Sequence, residues 1–283
     1  MIVLTQKDVL AHEVVVPWSE PYQIEQDLLL CLAMRAIFED RFLSDQVAMR
    51  GGTVLHKVHL APAARYSEDI DLVAVGDRPE GHIRKSLLRV LRPVLGRERS
   101  SVWDSVQLAV RNAAKPSRIL RCIYKVPSVV HPGRELTIEV ETNVTERIPH
   151  FPVQRLPFTI QFRGETVGTE IVSYNINEML ATKMRALFQR RKGRDLFDLY
   201  WALSVRSALP VSVAEILQAF DHYMRAEGEP VARERFIAHL HECLADRAGF
   251  CTDIDSFLQR DLTYDPDVAG ALVERDLLRL LPA

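Results

Sequence analysis

The sequence predicts an α+β fold in which a mixed sheet with flanking helices precedes a mainly helical C-terminal domain. After about residue 170, apolar side chains recur at helical spacing almost to the end of the chain. We therefore place one domain at residues 1–170 and a second at residues 171–283. Before that point, three runs alternate apolar and polar residues as strands do, at residues 102–110, 118–126 and 135–144.

The remaining elements follow from periodicity and from glycine and proline positions. A change from helical spacing to strict alternation marks a strand, and Gly or Pro clusters mark the turns between elements. Together these signals indicate a sheet of four or five strands. In order, we expect a helix at 22–42, a strand at 46–49, a helix resuming at Val54, a strand at 67–75, a helix at 84–95, a strand at 158–162 and helices at 178–190 and 194–203.

Composition places the chain among folded globular proteins. It has 283 residues, a formal net charge of -2 and a hydrophobic share of 47%, so no global positive field recruits nucleic acid. Its four cysteines include no C-x-x-C pair, which favours a reducing compartment over a disulfide framework. The longest apolar run, residues 28–34, is too short to span a bilayer, and Lys7 and Asp8 interrupt any signal peptide. We expect a cytoplasmic protein.

Asp69 and Asp71 are the first candidates for chemistry. Strand side chains repeat every two residues, so both carboxylates project from the same face of the predicted strand at 67–75. Hard divalent cations such as Mg²⁺ or Mn²⁺ take carboxylate oxygens as ligands. Because acidic pairs are also common on solvated strands, the neighbouring sequence has to support a metal site.

Gly51-Gly52-Thr53 provides that support. A tight turn opening a helix presents unpaired backbone N–H groups and the positive end of the helix dipole, and both favour phosphate oxygens. Glycine permits close approach of a ligand to the backbone. The turn and the later aspartates together predict a site for a nucleoside triphosphate and a divalent cation.

A third carboxylate is expected from a neighbouring strand. Glu139 and Glu141 alternate in the run at 135–144 and share one face. Glu139 is our candidate metal ligand, although Glu141 fits nearly as well. The alternative is a solvent-facing edge strand that carries glutamates for solubility.

Lys183 interrupts an apolar helix stripe formed by Leu180, Met184 and Leu187. A buried lysine needs a partner, and a phosphate is one such partner. The alternative is a lysine on the helix flank whose charged end reaches solvent.

Two strings of this sequence resemble the signatures of the AbiEii/AbiGii nucleotidyltransferase toxins, a family that includes the MenT-type toxins. The first, at residues 50–72, is RGGTVLHKVHLAPAARYSEDIDL, in which a Gly-Gly-Thr turn precedes Ser-x-Asp-x-Asp. The second, at 177–203, is NEMLATKMRALFQRRKGRDLFDLYWAL, a helix with Glu-x4-Lys followed by Arg-Asp-x-x-Asp-Leu. The resemblance implies a polymerase beta-like nucleotidyltransferase fold.

The resemblance also implies a role for each matching residue. Lys183 is a catalytic or phosphate-binding lysine, and Asp195 and Asp198 add polar groups from the second signature. Arg50 stands where the family often has lysine, which keeps the charge and changes its geometry. In the first signature, Gly51, Gly52 and Thr53 contact the triphosphate, Ser67 contacts the nucleotide, and Asp69 and Asp71 are catalytic metal ligands.

The expected activity is transfer of NMP from an NTP to an RNA acceptor. The resemblance suggests the tRNA 3′ end as acceptor, inhibition of bacterial growth as outcome and a cognate antitoxin as partner. A nucleotidyltransferase that modifies a protein or small molecule, and a nucleotide-binding regulator without turnover, are the alternatives.

Two basic runs are candidates for contact with an RNA backbone. The alternative for either run is a solvated surface. The first run is Arg185, Arg190, Arg191, Lys192 and Arg194, and the second is Arg84, Lys85, Arg89 and Arg92.

Overall fold

A computed structural model describes residues 2–106 and 117–282, which form two compact units. The strand unit comprises residues 2–106 and 117–174, and the helical unit comprises residues 175–282. The helices of the strand unit are α1 (Gln6–Glu13), α2 (Pro21–Glu39), α3 (Arg41–Gln46), α4 (Gly51–Val54) and α5 (Glu80–Leu95). Its strands are β1 (Val47–Arg50), β2 (Asp69–Ala74), β3 (Glu98–Val106), β4 (Ser117–Pro127), β5 (Glu135–Asn143), β6 (Gln154–Phe162) and β7 (Glu165–Ser173).

The seven strands form one mixed sheet in the order β3-β4-β5-β2-β1-β7-β6. β2 runs parallel to β5 and β1 runs parallel to β7, while the other neighbouring pairs are antiparallel. The predicted α+β class with a mixed sheet is confirmed. α2 is buried along nearly all its length and contacts β5, β2, β7 and β6. Burying a helix against the sheet removes much apolar surface from water, and this is the main stabilising term of the unit.

The sheet has seven strands rather than the four or five predicted. The strand predicted at 158–162 joins it as β6, which begins at Gln154, and β7 was not predicted. Pro157 precedes the predicted strand but lies inside β6, an edge strand, where proline costs no ladder hydrogen bond on the open side. Gly168 lies inside β7, where it pairs with Thr159. The predicted strand at 102–110 corresponds to β3 as far as Val106, and its remainder lies outside the described residues.

The predicted helix at 22–42 is interrupted near its end. α2 stops at Glu39, and Asp40 starts α3 by accepting a hydrogen bond from the Leu43 backbone N–H at 3.0 Å. This is an N-cap contact, which is favourable for a short polar side chain.

α4 begins at the Gly51-Gly52 turn and continues without interruption as a π-helical turn, Leu55–His59. Single π-turns are rare and occur mostly inside helices at functional sites. Here the turn directs Lys57 toward α2, as described below.

The helical unit is built around α6, which contacts α7, α8 and α9. Phe236 of α9 lies at the centre of its core, with ring centroids 5.2 Å from Phe188 and 5.8 Å from Phe220. The helices of this unit are α6 (Ile176–Arg190), α7 (Gly193–Ser204), α8 (Val213–Ala226), α9 (Arg233–Ala245) and α10 (Pro266–Asp276).

Among the described residues, no helix has both the length and the apolar character needed to cross a membrane.

Asp27 of α2 is the centre of a buried cluster that joins α1, α2 and the π-helical turn. Its carboxylate lies 2.8 Å from His12 Nε2, accepts a hydrogen bond from Trp18 Nε1 at 2.8 Å and forms an ion pair with Lys57. Although burial alone would raise it, the charge of Lys57 and the hydrogen bond from His12 hold the pKa of Asp27 well below its usual range. The cluster therefore fixes the end of the segment that begins with the Gly51-Gly52 turn.

We predict that Lys57→Met lowers the free energy of unfolding by about 3–5 kcal/mol, because it leaves the buried Asp27 carboxylate without its ionic partner. Urea unfolding followed by circular dichroism measures this change. Lys7→Met is the matched control, since Lys7 is exposed on α1, and we expect a change within about 0.5 kcal/mol. Equal values for the two variants would contradict the role given to Lys57.

Candidate active site

The parallel pairing of β2 with β5 gathers the predicted acidic residues. Asp69 pairs with Glu139, and Asp71 pairs with Glu141. Paired residues on adjacent strands lie about 4.8 Å apart and project to the same side. The four side chains therefore share one sheet face, which we call the acidic face, and both candidates for the third carboxylate belong to it.

The environment of the acidic face changes the pKa of Asp69. It stands at the start of β2, where the residue is partly open to solvent while protein surrounds its carboxyl group on the other sides, and none of the described residues donates a hydrogen bond to that group. Burial of the carboxyl group by surrounding protein, followed by the charges of Asp71 and Glu139, raises the pKa of Asp69 to about 7. A cation bound nearby would remove this cost.

Arg121 of β4 offsets part of the charge on the acidic face. It pairs with Glu141 in the β4–β5 register, and its Nη2 lies 2.6 Å from a Glu141 oxygen. The same guanidinium forms an ion pair with Glu139. The planar fork of arginine suits two carboxylates at once. Burial raises the pKa of Glu141 above its ordinary value, and Arg121 opposes that rise.

Arg121 was not predicted as a site residue from the sequence. Alternation along the predicted strand at 118–126 places it on one face, but only the pairing of β4 with β5 reveals that this is the face of Glu139 and Glu141. A basic residue opposite two glutamates in adjacent strand-like runs was the available signal.

Side chains of other residues occupy the space where Gly51 and Gly52 would carry a Cβ atom. Gly51 has φ +83°, and a Cβ built there would lie 2.0 Å from Asp71 Oδ2. A Cβ at Gly52 would lie 2.4 Å from Nη2 of Arg65, which is buried and donates from Nη1 to the Tyr66 carbonyl at 2.9 Å. The turn is thus packed directly against a carboxylate of the acidic face and against a guanidinium that the sequence analysis did not select.

Thr53 connects the turn to the start of β2. Its side chain is fully buried, and its hydroxyl lies 2.8 Å from Ser67 Oγ and donates to the backbone carbonyl of Asp69. The predicted nucleotide contacts Thr53 and Ser67 are therefore hydrogen-bonded to each other. This link fixes the position of Asp69 relative to the turn.

Arg50 borders the acidic face on the side opposite Arg121. It pairs with Asp71 in the β1–β2 register and forms an ion pair with Glu146. One row across four strands thus reads Arg121, Glu141, Asp71 and Arg50, with the two acids between the two bases.

In the helical unit, the residues of the second signature form a buried ion cluster. Lys183 Nζ lies 3.3 Å from Asp195 and 2.7 Å from Asp198, and both aspartates are fully buried. Arg190 also donates to Asp195, with Nε at 2.7 Å. Burial alone would raise the pKa of Asp195, but Lys183 and Arg190 lower it. Lys183 is thus a paired, inward-facing lysine of α6 rather than a flank residue that reaches solvent.

The acidic face has the donor set that a hard divalent cation requires, namely several carboxylate oxygens from two adjacent strands. A second group, His12, Asp27 and Cys31, places three ligand atoms within 4.8 Å of one another. Burial raises the pKa of the Cys31 thiol to about 12, so this residue stays protonated, and Lys57 already pairs with Asp27. The acidic face is therefore the better cation site.

We predict that Gly51→Ala destabilises the protein by at least about 2 kcal/mol more than Gly133→Ala. Both glycines have φ near +84°, at +83° and +85°, but a Cβ at Gly133 meets nothing within 4 Å. Gly133→Ala measures the backbone cost alone, about 1–2 kcal/mol. Thermal unfolding of both variants gives the difference, and a difference near zero would show that Asp71 can move away from the turn.

We predict that Asp69→Asn stabilises the protein increasingly between pH 4 and pH 7 when divalent cations are absent. A folded-state pKa of about 7 against an ordinary 3.8 means that raising the pH charges Asp69 at the expense of the folded state. The advantage of asparagine is therefore absent below pH 4 and constant above pH 7.

Melting temperatures across this pH range test the prediction. Asp77→Asn is the control, because the Asp77 side chain is 91% exposed. A pH-independent difference between Asp69→Asn and the wild type would contradict the crowding of charge on the acidic face.

Comparison with known proteins agrees with this architecture. No curated protein matches the chain. MenT4, a nucleotidyltransferase toxin from Mycobacterium tuberculosis H37Rv, superimposes with a TM-score of 0.58 at 16% identity, covering 99% of this chain and 91% of the other. JHP933 from Helicobacter pylori gives a TM-score of 0.54 at 16% identity, covering 92% and 93%. At this identity the likeness concerns the fold.

The sequence model of one family, the nucleotidyltransferase AbiEii toxins of type IV toxin–antitoxin systems, matches residues 32–272. This match contains both signature strings and most of the two units. The chain therefore belongs to the AbiEii nucleotidyltransferase toxin family.

Proposed function

We propose that this protein transfers NMP from an NTP to the 3′ end of a tRNA and thereby blocks translation and bacterial growth. The observation that carries the proposal is the acidic face, where Asp69, Asp71 and the two glutamates lie beside the Gly51-Gly52 turn. Family membership supports a nucleotidyltransferase toxin with an NTP substrate and a cognate antitoxin. The RNA acceptor, the use of Mg²⁺ or Mn²⁺ and action in the cytoplasm are our proposals.

In this proposal, Asp69, Asp71 and Glu139 hold the divalent cation. Its chemistry there would be Lewis-acid neutralisation of charge on the triphosphate. Arg121 keeps Glu139 and Glu141 oriented toward the acidic face through its ion pairs. We assign the third carboxylate, Glu139, the removal of the proton from the acceptor hydroxyl as that oxygen attacks the α-phosphorus and pyrophosphate leaves.

The turn supplies the proposed nucleotide contacts. Gly51 and Gly52 offer backbone N–H groups at the start of the helical segment, where phosphate oxygens are favoured. The Thr53 hydroxyl is already engaged with Ser67 and with the Asp69 carbonyl. A triphosphate contact from Thr53 would therefore use its backbone N–H.

Lys183 is our proposed catalytic lysine, with Asp195 and Asp198 controlling its charge and position. The two buried aspartates hold the ammonium in one place. A preorganised cation of this kind stabilises charge that develops on a transferring phosphate group.

We predict that wild-type protein transfers label from at least one α-labelled NTP to total RNA in the presence of Mg²⁺, and that Asp69→Ala reduces the rate at least about 100-fold because a carboxylate of the acidic face is lost. Gel analysis of the labelled RNA measures the rate. Label in protein rather than RNA would overturn the RNA acceptor, and equal transfer by Asp69→Ala would overturn the site.

The role of Lys183 needs a variant that separates catalysis from stability. Lys183→Met alone leaves two buried aspartates with less compensation, so it is expected to unfold easily. The double variant Lys183→Met/Asp198→Asn removes one charge of each sign. Restored stability with transfer still lost supports a catalytic lysine, whereas restored transfer shows that Lys183 is only structural.

A further inference from the structure

The two basic runs of the sequence differ sharply in how their charges are paired. In the α6–α7 run, every cation has an acidic neighbour. The pairs are Arg185 with Glu227 at 3.0 Å, Arg190 with Asp195 at 2.7 Å, Arg191 with Glu242 at 4.0 Å, Lys192 with Asp253 at 3.6 Å and Arg194 with Asp253 at 3.9 Å. This run is therefore a neutralised surface of the helical unit.

The α5 run is not neutralised in this way. Within the described ranges, Lys85 and Arg92 have no acidic partner, and neither do Arg97 and Arg99, which follow the end of the helix. Arg89, by contrast, lies 2.7 Å from Asp40. Residues 80–99 contain six Lys or Arg and two Glu, a formal charge of +4 in a chain whose net charge is -2.

The helix orients these charges toward solvent in one direction. Ile83, Leu87 and Leu91 are buried on the inner side of α5, while Lys85, Arg89 and Arg92 are exposed on the outer side. The exposed three occupy positions i, i+4 and i+7, and so span about 10 Å of helix axis at 1.5 Å per residue. Like charges at this spacing destabilise an isolated helix, so the arrangement has a local energetic cost.

Beside the N-terminal half of α5 lies an open depression of about 400 Å³. Its lining includes Arg84, Lys85, Trp103 and Arg118. The Arg118 guanidinium stacks on the Trp103 ring, 4.8 Å from its centroid. Arg84 Nε donates to Ser101 Oγ at 2.8 Å, which fixes this side chain on the sheet. Glu80 also lines the depression and pairs with Arg118 at 2.8 Å, so the positive charge of the depression comes from Arg84 and Lys85.

We propose that the outer face of α5, through Lys85, Arg89 and Arg92 and continued by Arg97 and Arg99, binds the phosphate backbone of the RNA acceptor. The identity of the polyanion rests on the proposed function. Charge complementarity favours a polyanion over a protein partner, because all five side chains are cationic and the described residues give an acidic partner to Arg89 alone. Cations on an open surface can neutralise the phosphates of a nucleic-acid backbone and release their counterions.

The test compares the two basic runs directly. Binding of end-labelled total tRNA is measured by fluorescence anisotropy between 50 and 200 mM KCl for wild type, Lys85→Gln/Arg92→Gln and the control Arg191→Gln/Lys192→Gln. For the α5 variant we expect about tenfold weaker binding at 50 mM KCl, and a slope of log K against log salt that is shallower by about 2. The control is expected to match the wild type.

Two results of the binding experiment overturn the inference: unchanged binding by the α5 variant, or loss of binding only in the control. Since Lys85 and Arg92 have no described acidic partner, their replacement is not expected to disturb folding, and equal melting temperatures verify this. Wild-type protein that binds tRNA through α5 but transfers no NMP would contradict only the proposed function. Undiminished transfer to tRNA by the α5 variant, with tRNA below saturation, would contradict only the RNA-binding surface.

Discussion

Repulsion among carboxylates on one sheet face is the constraint on which the strand unit depends. Parallel pairing of β2 with β5 brings Asp69 and Asp71 beside two glutamates. Burial of the Asp69 carboxyl group, followed by the charges of Asp71 and Glu139, raises the pKa of Asp69 to about 7. Natural proteins keep such electrostatic cost at functional sites, where a ligand relieves it. The surrounding structure offsets it only partly, with Arg121 on one side and Arg50 on the other.

In the helical unit, by contrast, the charged side chains of the second signature and of the α6–α7 run are paired with opposite charges. Lys183, Arg190 and two fully buried aspartates form a closed cluster, and the cations of the α6–α7 run have acidic neighbours. Buried ion pairs contribute little net stability but penalise any arrangement that separates them. This cluster therefore specifies how α6 and α7 pack.

Much of the site follows from local sequence, because strand alternation is a property of the backbone. Alternation alone predicted that Asp69 and Asp71 lie on the same face of one strand, and that Glu139 and Glu141 lie on the same face of another. Strand register and side-chain contacts between distant segments are different, since they depend on residues far apart in the chain. Strand register brings Arg121 to the two glutamates. Contacts between distant segments place Arg65 beside Gly52 and give Arg191 and Lys192 their acidic partners. The edge position of β6, which permits Pro157, has the same origin.

The close contact between Gly51 and Asp71 ties two positions together in the history of this protein. The space of a side chain at position 51 is filled by the carboxylate of residue 71. A larger residue at 51 becomes tolerable only if residue 71 is shortened, and shortening it removes an acid from the acidic face. Under the proposed function, each of the two single changes impairs the protein, so positions 51 and 71 are expected to change together or not at all. Relatives that lack this glycine are then expected to lack the aspartate as well, and with it the transferase activity.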